Sequence, residues 1–250
     1  MSKRPKIGIT TRLEIETRRF YLGRDYSDAV EAAGGIPILL NLIPKSEYIA
    51  AVVEGLDGIL LPGSDSDIDP RYFSEDPHPN LDCVIPEKDE TDQLVLAEAE
   101  RLDLPILAIC YGMQALNVSR GGSLIQDIKS QVDNCIKHQQ GVPRARNSHD
   151  LKVEKDSLLA SLIEPNQAVR VNSHHHQAVN RIGRDLKATA STSDGVVECV
   201  EDTRKGKFVL GVQWHPELSW NTDRLSGKIF EAFVRACEVG RNAGCQPASG

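Results

Sequence analysis

The segment Pro105 to Ile109 carries only apolar side chains and runs straight into Cys110, with Gly112 two residues on and a helical pattern after it. A strand with no polar face is buried on both sides, the situation of a parallel sheet covered by helices on each surface. The first half of the chain repeats this rhythm. Lys6 to Thr10, Ile36 to Leu40 and Gly58 to Leu61 read as strands. Tyr21 to Ala33, Ser46 to Glu54, Asp89 to Leu102 and Gly112 to Arg120 read as helices, with stops at Gly34-Gly35 and Gly121-Gly122. Leu94, Ala97 and Leu102 mark the expected inner side of the helix from Asp89. Later come short strand patterns at Leu151 to Glu154, Ala168 to Val171, Leu186 to Ala190, Val196 to Val200 and Phe208 to Val212. A helix over Asp223 to Val239 turns Ile229, Phe230, Phe233 and Ala236 inward. The expected fold is α/β: a single three-layer, flavodoxin-like domain over 1–250, its central sheet mixed but mostly parallel and flanked by helices. The tail from about 240 to 250 reads as frayed. Two long loops, 64–88 and 127–148, are candidates to serve a site.

Composition excludes several functions. With 36 acidic against 29 basic residues the net charge is −7, the wrong sign for a nucleic-acid partner. Nothing approaches 18 consecutive apolar residues, so no membrane span is expected, and the N-terminus lacks a secretory signal. A cytoplasmic location follows as the expectation. The six cysteines, at 83, 110, 135, 199, 237 and 245, are scattered without a CxxC pair and read as free thiols.

The chemistry concentrates at two strand ends. Ala108 and Gly112 flank Cys110 with small residues, as a tight strand–nucleophile–helix elbow requires, and the helix N-terminus behind the sulfur favours negative charge there. A cysteine nucleophile needs a base and a group to orient that base. In Gly211-Val-Gln-Trp-His215-Pro-Glu217 an apolar strand ends at His215. Pro216 keeps the segment out of helix, and Glu217 at i+2 can face the same way. Two other patterns mislead. Asp65, Asp67 and Asp69 alternate like a calcium loop, but Pro70 stands where glycine is needed and Asp76 where glutamate is needed. They read instead as solvated loop carboxylates or a screen at the pocket mouth. His174, His175 and His176 are consecutive, and three neighbours on an extended segment cannot all face one ion. No metal is assigned.

Cys110-Tyr-Gly-Met-Gln114 followed by Val212-Gln-Trp-His215-Pro-Glu217 resembles the class I (triad) glutamine amidotransferases. Asp57 to Ser64, Gly121-Gly122-Ser123-Leu124, Val171 to Gln177 and Ser193 to Glu198 place the likeness nearest the γ-glutamyl-γ-aminobutyrate hydrolases of putrescine breakdown, over residues 5 to 237. The resemblance implies a hydrolase with Cys110 as nucleophile, His215 as acid and base and Glu217 as its orienter, needing no cofactor. The oxyanion hole would use the Tyr111 N–H and the Pro62-Gly63-Ser64 turn, Ser64 ahead of Gly63. Gln114 and the loop Asn172, Ser173, His174, His175, His176 and Gln177 would bind a small γ-glutamyl substrate. Tyr111 departs from the arginine common in that branch, which bears on the substrate mouth and not on the triad. Two other functions fit the same residues: a glutaminase subunit passing ammonia to a synthase partner, and a non-catalytic binding protein. A homodimer is compatible with either.

Overall fold

The computed structural model describes residues 4–165 and 167–244. In chain order the strands are β1 Lys6–Thr10, β2 Arg12–Glu14, β3 Arg19–Tyr21, β4 Ile36–Leu40, β5 Gly58–Leu61, β6 Ile106–Ile109, β7 Leu124–Ile125, β8 His149–Asp150, β9 Lys152–Val153, β10 Arg170–Val171, β11 Ala178–Val179, β12 Leu186–Ser191, β13 Val197–Asp202 and β14 Val209–Val212. The helices are α1 Arg24–Ala32, α2 Ser46–Val53, α3 Pro86–Arg101, α4 Tyr111–Ser119, α5 Ile128–Gln131, α6 Leu158–Leu162 and α7 Arg224–Gly244. The tail from residue 245, expected to be frayed, lies outside the described residues.

The main sheet runs β4-β1-β5-β6-β14-β13-β11-β7, with β12 also on β13 and β9 on β12. Its first five strands are parallel and the rest pair antiparallel. This is the expected mixed, mostly parallel sheet. Alternate residues of the parallel strands enter two separate cores, as the two-residue pleat period demands. Leu60, Leu107, Ile109, Leu210 and Val212 pack with α1, α6 and α7 on one face. Ile59, Leu61, Ile106, Ala108 and Val209 pack with α2, α3 and α4 on the other. Both faces are covered, which is why the strands read as unbroken apolar runs.

Two segments differ from the sequence reading. Helix α1 begins at Arg24, because residues before it form the β2–β3 hairpin. That hairpin is fastened by Arg12 to the Gly63 carbonyl at 2.7 Å and by Tyr21 to Asp65 at 2.9 Å. Helix α3 is turned differently from the expected inner face: Ala97 is exposed and Leu94 half-buried, while Lys88, Asp89, Asp92, Val95, Leu96 and Ala99 are buried. The polar members tolerate burial because they are paired. Lys88 bonds Asp92 at 2.5 Å and Thr10 at 3.1 Å, and Asp89 accepts from the Tyr111 hydroxyl and, at 3.0 Å, from the Asp69 N–H. Hydropathy along a helix cannot register a charge that is neutralised by a partner.

Register sets the site. Ile109 of β6 lies opposite Val212 of β14, and Ala108 opposite Leu61 of β5. Three parallel strands therefore release Ser64, Cys110 and His215 at the same carboxyl edge, where open α/β sheets bind ligands.

Candidate active site

Cys110 sits between β6 and α4 at φ +54° and ψ −110°, a left-handed backbone that costs a residue with a side chain about 1–3 kcal/mol. The surroundings hold it there. Its N–H donates to the Val212 carbonyl at 2.8 Å and its carbonyl accepts from the Gln114 N–H at 3.2 Å. Glycine at 112 is required by close approach: a Cβ there would lie 2.2 Å from the Leu61 carbonyl oxygen. Tyr111 lines the cleft but is buried, its hydroxyl bonded to Asp89 of α3, and its backbone N–H is the first of α4, without an intrahelical acceptor.

His215 Nδ1 donates to Glu217 Oε1 at 2.7 Å, and both side chains are buried. Burial by itself would lower the imidazole's pKa. The Glu217 carboxylate and then the Cys110 sulfur outweigh it and raise the value to about 10. Burial likewise opposes the Glu217 charge, and His215, with a smaller contribution from Tyr26, holds its carboxyl below the usual range. The structure thus brings the three expected residues together around one imidazole.

A cleft of about 230 Å³ opens above Cys110, lined among others by Ser64, Asp65, Asp67, Gln114, His174 and His176. The residues expected to bind substrate divide into two groups. Gln114 is in the cleft, its amide held by the Gln177 carbonyl and Gln213, each at 3.2 Å. His174 lies with its ring centre 5.8 Å from that of His215, and His176 bonds Asp67 at 2.9 Å. Gln177 lines the cleft and donates to the Gln126 carbonyl at 3.2 Å. His175 lines it too, although its side chain is buried behind it. Asn172 and Ser173 do not face the cleft. Asn172 clamps the backbone of His215, accepting from its N–H and donating to its carbonyl, both at 2.8 Å. Ser173 is fully buried and ties to the His138 carbonyl and Gln140. Gly63 is likewise committed, its N–H donating to the Tyr26 hydroxyl at 3.0 Å, so Ser64 is the remaining donor of that turn.

Residues 5–217 match the family Peptidase C26. The chain belongs to that family. Among its relatives, the γ-glutamyl-γ-aminobutyrate hydrolase PuuD of Escherichia coli K12 is 34% identical, the match covering 87% of this chain and 86% of PuuD. A glutamine amidotransferase-like protein of Rickettsia prowazekii is 36% identical over 94% of this chain and 99% of its own. The crystal structure of a GMP synthase component from Thermoplasma acidophilum superposes with TM-score 0.68 over 98% of this chain and 100% of its own, at 16% identity, which shows a shared fold.

Several parts of this C26 site carried no sequence signal. Tyr26 on α1 links the Gly63 turn to Glu217, and Arg12 reaches the same turn. An isolated tyrosine in an amphipathic helix looks like ordinary core. Asp65 and Asp67, read as solvated loop or a mouth screen, line the cleft and are each engaged, Asp65 by Arg12 and Tyr21, Asp67 by His176 and the Asp82 N–H. The described cysteines are all free thiols, and no described helix is long and apolar enough to cross a membrane.

Proposed function

We propose that this protein hydrolyses the γ-glutamyl amide bond of a small γ-glutamyl compound, γ-glutamyl-γ-aminobutyrate being the first candidate. The observation that carries this reading is a cysteine on a strained elbow that lines a cleft and sits beside a buried His215–Glu217 pair. Cys110 Sγ attacks the γ-carboxamide carbon. The carbonyl oxygen becomes an oxyanion that accepts from the Tyr111 and Ser64 N–H groups, each such donor being worth about 3 kcal/mol of barrier. His215 passes a proton to the leaving amine as the tetrahedral intermediate collapses to a thioester. It then takes a proton from water, which attacks the thioester, and glutamate leaves as the sulfur recovers its starting state. Glu217 keeps the Nδ1 proton in place so that Nε2 serves the sulfur. The name of the E. coli relative supports the choice of leaving group.

The test is a screen of γ-glutamyl amides with the isolated protein. Release of γ-aminobutyrate with negligible glutaminase activity supports the proposal. Glutaminase activity that appears only with an added synthase partner refutes it. Cys110→Ser should abolish turnover and leave the circular dichroism spectrum unchanged, and full residual activity would remove the nucleophile assignment.

A further inference from the structure

Behind the substrate loop, three imidazoles from separate stretches of chain converge on one carboxylate. His138 comes from the long loop before β8, His149 from β8, His175 from the 172–177 loop and Glu198 from β13. His138 Nδ1, His149 Nε2 and His175 Nε2 lie 3.4, 3.2 and 3.4 Å from Glu198 Oε1, and 3.2 Å separates His138 Nδ1 from His175 Nε2. All four residues are buried, Glu198 completely.

Hydrogen bonding satisfies only part of this cluster: a protonated His138 would donate to His175 Nε2 at 3.2 Å, but His149 and Glu198 gain no partner. His175 Nδ1 faces the Gln177 carbonyl at 2.8 Å, an oxygen that only accepts, so the ring proton sits on Nδ1 and Nε2 carries a lone pair. His138 Nε2 donates to Asp194 at 3.0 Å, so in the neutral ring Nδ1 carries the lone pair. Two lone pairs and a carboxylate oxygen then point into one spot. Neither nitrogen of His149 and neither oxygen of Glu198 has a partner in hydrogen-bonding geometry, despite the short separations. Burying such a carboxylate without donors is costly. A cation at the centre removes the conflict. A tetrahedral ion with bonds of about 2.0–2.1 Å sets its ligands about 3.3–3.4 Å apart; the four separations above are 3.2–3.4 Å, and the ligand atoms of His138, His149 and Glu198 all lie within 4.8 Å of one another. The partners on the far sides of His138 and His175, a carboxylate and a backbone carbonyl, are those that orient metal-bound imidazoles.

We infer that His138, His149, His175 and Glu198 form a closed, four-ligand site for a divalent transition metal that favours imidazole, Zn(II) first. A cavity of about 460 Å³ lined by His138 and His175 gives the ion an entry path. The site ties the 127–148 loop and the 172–177 loop to β13, so it braces the wall of the catalytic cleft and takes no part in the chemistry. The sequence pattern assigns no metal; in the inferred site only His175 of the three consecutive histidines takes part, and the other ligands lie far away in sequence.

The full-length protein, stripped with a chelator and dialysed, is titrated with Zn(II) and separately with Co(II). Tight binding of one ion per chain is expected. The Co(II) form should show the intense visible bands of a four-coordinate site without sulfur-to-cobalt charge transfer, which separates this site from capture by Cys110. Cys110→Ala should retain the ion, and His149→Ala should lose it. The inference is overturned if the wild type binds no stoichiometric ion, or binds one only at millimolar concentrations. It is also overturned if the Co(II) form shows thiolate charge transfer that disappears in Cys110→Ala. The wild-type and Cys110→Ala results decide the matter even if His149→Ala fails to fold, and metal content reads independently of γ-glutamyl hydrolysis.

Discussion

Substituting Gly112→Ala would test whether the elbow and the oxyanion turn are mechanically one unit. The added Cβ would stand 2.2 Å from the Leu61 carbonyl oxygen, 2.7 Å from its Cβ and 2.8 Å from its carbonyl carbon, where ordinary contact begins at 3.4 Å. The shortfall is 3.4 − 2.2 = 1.2 Å. Leu61 cannot yield cheaply, because β5 is bonded to β1 on one side and β6 on the other. Overpacking of this kind costs about 1–3 kcal/mol, or a fall in Tm of about 2–12 °C for a domain of this size. The displaced carbonyl lies three residues before Ser64, so the donor on that turn moves relative to Cys110. A misplacement of about 1 Å in a catalytic constellation costs on the order of 10²-fold in rate. The assay is kcat on a chromogenic γ-glutamyl anilide together with thermal melting. Loss of stability with wild-type kcat would refute the coupling between elbow and turn. Unchanged stability and rate would refute the steric argument itself.

Asn172→Ala should lower kcat while KM stays within about twofold, because the side chain holds the His215 backbone and not the substrate; each orphaned backbone group costs about 1–3 kcal/mol. A large rise in KM alone would restore the substrate-binding role. Tyr26→Phe removes the acceptor of the buried Gly63 N–H and should cost about 1–3 kcal/mol of stability along with part of the activity; an unchanged melting curve would contradict this. The Asp202 carboxyl is held down at about 2, burial opposing its charge and Arg204, then Arg120, prevailing. Its folded value lies below the ordinary one of 3.8, so its contribution is present above about 4 and lost as pH falls toward 2. The Tm gap between wild type and Asp202→Asn should therefore be present at neutral pH and close in that window, and a gap independent of pH would count against it.

The layered fold and the grouping of Cys110, His215 and Glu217 at one sheet edge were legible in the sequence because both depend on local pattern. Apolar runs without a polar face imply strands covered on two sides, and small residues around Cys110 imply a tight elbow. Pro216 and the i+2 spacing put Glu217 within reach of His215. The same local logic misplaced the buried face of α3, where Lys88, Asp89 and Asp92 are inside because each has found a partner. It grouped Asn172 and Ser173 with substrate, although their side chains brace the backbone behind it. It gave no sign that His138, His149 and His175 converge on Glu198, since they meet only after β8, the 172–177 loop and β13 have packed together. Periodicity and turn chemistry act between neighbours in the chain, so the sequence by itself determined the elements and the chemical groups at their ends. Whether a buried polar atom is satisfied depends on atoms tens of residues away, and only the tertiary structure decided that.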